Sequence, residues 1–255
     1  MAREAKKETS RRRKLLWKVA MVGVALGAVT GVSVYLVHRY LVNDPKFVLS
    51  HDRRDALTID GLHYASRGKV QRIFAQDTDH SVFSVPLDER RRRLLAIDWV
   101  QDAAVSRVWP DRLKVHIRER KPVAFVEVQS AAMLIDGEGM LLELPAQAQF
   151  NFPVLSGVRA EDPPEKRMYA VRALLDVEDE LGAAMKDVSE VNAADPSNIR
   201  IVAQIDNRVV ELILGEDNLG QRYRNFLTHY PEIRKRSPEV KIFDLRLDDR
   251  ITARE

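Results

Sequence analysis

The chain has 255 residues, with 41 Lys and Arg against 38 Asp and Glu, six histidines and no cysteine. Without thiols it forms no disulfide, no thiolate metal site and no cysteine nucleophile. The first 18 residues carry eight basic and two acidic side chains and the rest is net acidic by three, so the basic character points to anionic lipid rather than nucleic acid.

Residues 1–18 predict a basic cytoplasmic tail, and Val19–Val37 follows as nineteen residues without a charge. As a helix that stretch spans roughly 28 Å, close to the hydrocarbon thickness of a bilayer. The excess of Lys and Arg before it, against His38 and Arg39 after it, predicts a cytoplasmic amino end and an exported remainder beyond about Tyr40. The run outlasts the ~7–15-residue core of a signal peptide. Tyr35-Leu36-Val37-His38-Arg39 offers no small-x-small cleavage site either. A retained single-pass anchor is expected. Trp17, Tyr35 and Tyr40 suit the two interfaces. Gly23, Gly27 and Gly31 form GxxxGxxxG, which fits either close helix packing or a small-residue face toward lipid.

Residues 46–121 predict the order strand, helix, helix, strand, strand. Phe47–Leu49 and Leu57–Ile59 read as short extended pieces, and Ser66 as the cap of a helix burying Val70, Ile73 and Phe74. A second helix follows Val82–Pro86, with Asp88 and Glu89 at its amino end and Leu87, Leu94 and Leu95 as its stripe. Its Arg90–Arg93 run points in several directions and reads as a solvated helix. Leu113, Val115 and Ile117 alternate with Arg112, Lys114, His116 and Arg118, a half-wet strand joined by the Trp109-Pro110 turn to Val105–Val108.

Residues 123–255 predict a strand-rich domain with two helices. Ala124–Val128, Ala132–Ile135 and Met140–Leu144 read as strands and Phe152–Gly157 as a loop. A helix is expected over Glu165–Gly182, then strands at Val188–Val191, Ile199–Gln204 and Val209–Leu214. Asn218 is the expected cap of a helix burying Leu219, Tyr223, Phe226 and Leu227. Val240–Leu247 and Ile251–Ala253 finish the chain as strand, with Asp248-Asp249 between them.

Catalytic signatures are missing. The histidines show no HxxxH or HExxH spacing, and no GxSxG or phosphate loop occurs. No enzyme activity, cofactor, metal, nucleic acid or small-molecule substrate is expected. A peptidoglycan-active enzyme and a transport-associated chaperone are the alternatives. The first would need carboxylates distant in sequence, and the second predicts tandem domains or a barrel.

Trp99-Val100, Arg107-x-Trp109-Pro110 and Glu119-Arg120-x-Pro122-x-Ala124 stand in order along the chain. Asp136-x-x-Gly139, Pro153-x-Leu155-x-Gly157, Leu214-Gly215 and Asp244-Leu245-Arg246 follow them. Over essentially its whole length the chain resembles the bacterial cell-division family FtsQ/DivIB. Asp98 stands where Pro often precedes Trp-Val, and Leu247 where an aromatic commonly follows Asp-Leu-Arg. The resemblance implies an α+β architecture: one membrane helix, a polypeptide-transport-associated (POTRA) domain of order β-α-α-β-β, and a β domain. It also implies a non-enzymatic divisome scaffold in the cytoplasmic membrane, concentrated at the septum, with FtsB and FtsL as partners. The implied partner surface holds Arg222 on the helix after Leu-Gly, and Phe243, Leu245, Leu247 and Ile251 on the last strands. A partner would add a strand at that edge. From alternation alone, Phe243, Leu245 and Leu247 also fit a core-facing strand.

Overall fold

A computed structural model of the chain describes every residue except Met1, Arg54, Gln147, Asp248, Asp249 and Glu255, with residues 2–16 and Val19 described by backbone alone. The expected Asp248-Asp249 connection therefore lies outside the described residues. Two compact units form. One holds the chain up to Leu62 with Ser66–Leu94 and Ala103–Ile117, and the other holds His63–Ala65, Leu95–Asp102 and the chain from Arg118 onward.

In the first unit, α1 (Ala2–Asn43) runs unbroken through the expected tail and span and continues past Val37. Its Ala20–Asn43 stretch is 24 residues long and holds an 18-residue window of mean hydropathy 2.0, none of which is buried inside the chain. Among the described residues it is the one helix long and apolar enough to cross a membrane. Thr30 Oγ1 donates to the Leu26 carbonyl at 2.5 Å, which satisfies the hydroxyl within an apolar helix. A 3-10 turn at Pro45–Phe47 comes next, its Asp44 cap accepting the Lys46 N–H at 2.9 Å. Of the extended piece expected at Phe47–Leu49, Phe47 closes this turn, because Pro45 presets φ and Asp44 caps it. Val48 is extended and bridges Ser81, and Leu49 exchanges backbone hydrogen bonds with Asp79 and His80, each at 2.9 Å.

The order β1 (Leu57–Asp60), α2 (Arg67–Ile73), α3 (Leu87–Leu95), β2 (Val100–Val108), β3 (Arg112–Glu119) matches the expectation. The sheet runs β1-β3-β2, with β1 parallel to β3 and Ile59 opposite Val115. Ser66 Oγ accepts the Lys69 N–H at 3.3 Å, so α2 starts where its sequence says. Leu113, Val115 and Ile117 are buried beside Val70, Phe74 and Leu94. Gly61 ends β1 at φ +83°, where a Cβ would sit 1.9 Å from the Ile117 carbonyl oxygen. Only glycine fits there.

Burial breaks the expected solvated arginine face of α3. Arg90 is buried, and its Nε and Nη2 donate to Asp77 Oδ2 and Oδ1 at 2.7 and 2.8 Å. That two-pronged contact to a buried carboxylate holds the guanidinium firmly protonated. Arg91 Nε donates to the Ala103 carbonyl at 2.7 Å, tying α3 to β2.

In the second unit the elements are β4 (Pro122–Val128), β5 (Ala131–Asp136), β6 (Leu141–Glu143), β7 (Val154–Ser156), α4 (Pro164–Leu181) and β8 (Val188–Asn192). They continue as β9 (Ile199–Ile205), β10 (Arg208–Gly215), α5 (Leu219–Arg236), β11 (Ile242–Asp244) and β12 (Thr252–Arg254). All the strands join one nine-stranded sheet ordered β12-β11-β10-β9-β8-β7-β4-β5-β6. Val171, Leu174 and Val177 of α4 and Tyr223 and Phe226 of α5 share one core with Val126, Leu155, Ile201 and Leu212 of the sheet.

Four expectations change here. The Phe152–Gly157 loop contains β7, whose Leu155 pairs with Val191 of β8. The strand expected over Val240–Leu247 shortens to β11. Leu227 is 38 % exposed and lies off the buried stripe of α5. Asn218 does stand at the amino end of α5, but at φ +55° its side chain makes no cap bond. Its carbonyl accepts the Arg222 N–H at 2.9 Å, and Glu180 Oε2 takes the Gly220 N–H at 2.9 Å. A carboxylate from α4 caps α5.

The buried Arg90–Asp77 pair yields a direct test. Asp77→Ala strands a guanidinium in the core and should lower unfolding stability by about 3–5 kcal/mol. Urea titration followed by circular dichroism measures this, and adding Arg90→Met should recover most of the loss.

Candidate functional site

An open sheet ends in two edges, and each edge leaves backbone N–H and C=O groups without a ladder partner. At the β6 edge, Glu143 is closed off. Its N–H donates to Asp98 Oδ2 at 3.0 Å, and its carbonyl accepts the Trp99 indole N–H at 2.9 Å. Trp99 is itself buried. The departure from the family pattern at Asp98 thus supplies one of the two groups that close this edge.

The other edge is β12, whose three residues are all exposed. It pairs antiparallel with β11, Asp244 facing Thr252 and Ile242 facing Arg254, and β11 in turn pairs parallel with β10. Asp244 holds these short strands together. It is buried, and its carboxylate accepts from Arg246 Nε and Nη2 at 2.9 and 2.7 Å and from Arg254 Nη2 at 2.9 Å. Hydrogen bonding from Arg246 holds the Asp244 carboxyl below its ordinary value.

Beside this edge, α5 begins at the Leu214-Gly215 turn. Arg222 Nη1 donates to the Leu214 carbonyl at 2.7 Å, and Nη2 lies 3.2 Å from Asp217. Gly215 has φ +87°, and a Cβ there would come within 2.9 Å of Arg222 Nη1. The Leu-Gly motif therefore makes room for the arginine that locks the turn.

The structure brings four of the five expected partner residues into one groove. Arg222, Leu245, Leu247 and Ile251 line a depression of about 160 Å³ with Asn225 and His229. Leu247 is 52 % exposed, while Ile251 is half-buried. Phe243 and Leu245 are different: both are buried, and the Phe243 ring lies 5.0 Å from Phe226 and 6.0 Å from Tyr230. Their side chains belong to the core, as strand alternation alone allowed. Sequence reasoning passed over Asn225, His229 and Asp244. The last was visible only as part of a motif, without its role.

The remaining motif residues hold the fold. Glu119 Oε1 accepts three successive backbone N–H groups, from His63, Tyr64 and Ala65, at 2.9, 3.0 and 2.8 Å. Arg120 Nη1 donates to Asp136 at 2.8 Å and Glu138 at 2.7 Å, and hydrogen bonding from Arg120 draws the Glu138 carboxyl down. Asp136 also accepts the Glu138 and Met140 N–H groups, which shapes the β5–β6 hairpin. Pro122 opens β4, where a strand needs no donor. Arg107 donates to the carbonyls of Val82 and Val85 at 2.6 and 2.8 Å. Trp109, joined to Pro110 by a cis peptide, is 63 % exposed. On α1, a Cβ at Gly23, Gly27 or Gly31 would meet nothing within 4 Å beyond the helix's own adjacent backbone. Among the described residues no group of His, Asp or Glu is placed to hold a metal.

The Asp244 network sets a pH dependence. A carboxyl depressed on folding stabilises above its unfolded pKa of about 3.9, and the contribution is lost as pH falls through the lower folded value. Asp244→Asn should therefore cost about 1–3 kcal/mol at pH 7, with the deficit closing as the pH falls below about 3.9. Urea titrations of both proteins across that range check the sign.

Comparison with known proteins agrees with this architecture. The model of the POTRA domain, FtsQ-type, matches residues 55–120, and that of the cell division protein FtsQ/DivIB, C-terminal, matches residues 124–246. Cell division protein FtsQ of Koribacter versatilis is 32 % identical over 252 residues, 96 % of this chain and 71 % of that protein. FtsQ of Coxiella burnetii is 24 % identical over 231 residues, covering 90 % and 88 % of the two chains. The major extracytoplasmic domain of DivIB from Geobacillus stearothermophilus aligns at 22 % identity over 47 % of this chain and 95 % of that one. Its TM-score of 0.25 is too low to add to the fold assignment. With both family models matched in order and a relative aligned nearly end to end, the chain belongs to the FtsQ/DivIB family of cell-division proteins.

Proposed function

We propose that this protein is a divisome scaffold, held in the cytoplasmic membrane by α1 with its amino end inside and both folded units outside. It recruits FtsB and FtsL at the septum by giving one of them the β12 edge to pair with. The basic residues before the span support the orientation. One observation carries the binding mode: β12 is a three-residue strand at the sheet margin with all three residues exposed, while the opposite edge is closed at Glu143 by Trp99 and Asp98. Main-chain pairing with an added strand supplies affinity, and side chains in the adjacent groove supply specificity.

Arg222, His229 and Arg250 give the groove a basic lining, and Leu247 and Ile251 give it an apolar one. It suits an amphipathic acidic segment of the partner. Phe243 and Leu245 serve this surface from below, by packing the strand against α5. Gly23, Gly27 and Gly31 add a face on α1 where a partner's span can approach closely.

Two substitutions test the edge. Leu247→Glu alters an exposed side chain, and Ala253→Pro removes the β12 backbone donor that faces away from β11. Each should keep the thermal unfolding midpoint near that of the parent and weaken capture of FtsB by about tenfold or more. In cells depleted of the parent chain, each should leave filaments. Folded variants that capture FtsB normally and restore division would sink the proposal.

A further inference from the structure

The largest exposed ring outside α1 sits beside the end of that helix. Trp109 is 63 % exposed and the preceding Val108 is 37 % exposed, at the turn between β2 and β3. Trp99 in the same chain is buried with its indole N–H bonded, so exposure is particular to Trp109. An exposed indole leaves a large apolar surface in water.

Trp109 belongs to a chain of rings that leads back to the span. Its centroid is 5.6 Å from Phe47 and 5.2 Å from Phe83, and Phe47 is 6.0 Å from Tyr40 in the last turns of α1. Arg107 steadies the Phe83 segment through its bonds to the Val82 and Val85 carbonyls. Ser81 Oγ donates to the Leu41 carbonyl at 2.7 Å, which fastens this ring cluster to the helix end.

Length sets the depth. The uncharged stretch Val19–Val37 has nineteen residues, which as helix is roughly 28 Å against a hydrocarbon core of about 30 Å. The turn of α1 that follows it, with His38, Arg39 and Tyr40, therefore lies in the headgroup layer. Trp109 is only two ring contacts away.

We propose that the Val108–Trp109 turn seats in the headgroup layer of the same bilayer that α1 crosses, with Tyr40, Phe47 and Phe83 behind it. The occupant of this apolar surface is the phospholipid interface itself. Trp and Tyr favour that layer because an apolar ring and a polar atom are both satisfied there. The contact gives the first unit a second hold on the membrane beyond the span, and so fixes which of its faces looks outward. This inference rests on the membrane-spanning reading of α1.

Fluorescence of the full chain in phosphatidylethanolamine–phosphatidylglycerol vesicles tests it. Trp17→Phe removes the indole at the other end of the span, and comparison with Trp17→Phe/Trp109→Phe isolates the Trp109 signal from buried Trp99. A nitroxide carried at the headgroup level should quench the Trp109 signal about twofold or more, with aqueous iodide much less effective. Efficient iodide quenching without nitroxide quenching, in protein that resists alkaline carbonate extraction, would overturn the inference and leave the span intact. Shielding of Trp109 that appears only when a partner protein is added would also overturn it. Release of the chain by carbonate would overturn the spanning reading and the inference with it.

Discussion

Hydrogen bonding at the two ends of the nine-stranded sheet is the constraint on which the rest of the outer fold depends. Every interior strand pairs with a neighbour on each side, and only β6 and β12 stand at a margin. At β6 the chain answers the problem itself, with an indole and a carboxylate bonded to Glu143. At β12, among the described residues, it does not, and three exposed residues remain. A bare edge is an aggregation hazard that proteins ordinarily cover or shorten. Here the edge is kept short, anchored through the buried Asp244 carboxylate, and placed beside a groove of mixed basic and apolar character. Such an edge is suited to one partner rather than to any strand.

The motif residues separate by task once their contacts are known. Glu119, Arg120 and Trp99 satisfy buried or strand-end polar groups, so they hold the fold. Arg222 stands between the two tasks, since the same guanidinium that locks the Leu214-Gly215 turn also lines the groove. Trp109 has the opposite character. It is packed on two rings and still exposed, which suits a surface role at the membrane.

Much of this was legible in the residues. The alternation through Leu113, Val115 and Ile117 gave β3 and its buried face, because a half-wet strand writes its period directly into polarity. Ser66 marked the start of α2 for an equally local reason, a hydroxyl within reach of its own backbone. The misses share the opposite cause: a partner far along the chain. β7 is three residues long and pairs with β4 and β8, so no local period announces it. Arg90 looks like its three neighbours until Asp77, thirteen positions earlier, claims it. Asn218 marks the right position, but Glu180 of α4 does the capping. The five expected partner residues followed from resemblance, and burial then assigned Phe243 and Leu245 to the core.

The central claim is that β12 is the edge at which a partner strand is received. Amide hydrogen exchange of the full chain in lipid vesicles, with and without the outer segments of FtsB and FtsL, measures it most directly. The account predicts that partner addition slows exchange of the Ala253 amide, the one on β12 that faces away from β11, about tenfold or more, with Leu141–Glu143 of β6 unchanged. Unchanged exchange along β12 in a saturated complex, or slowing at β6 instead, would contradict it.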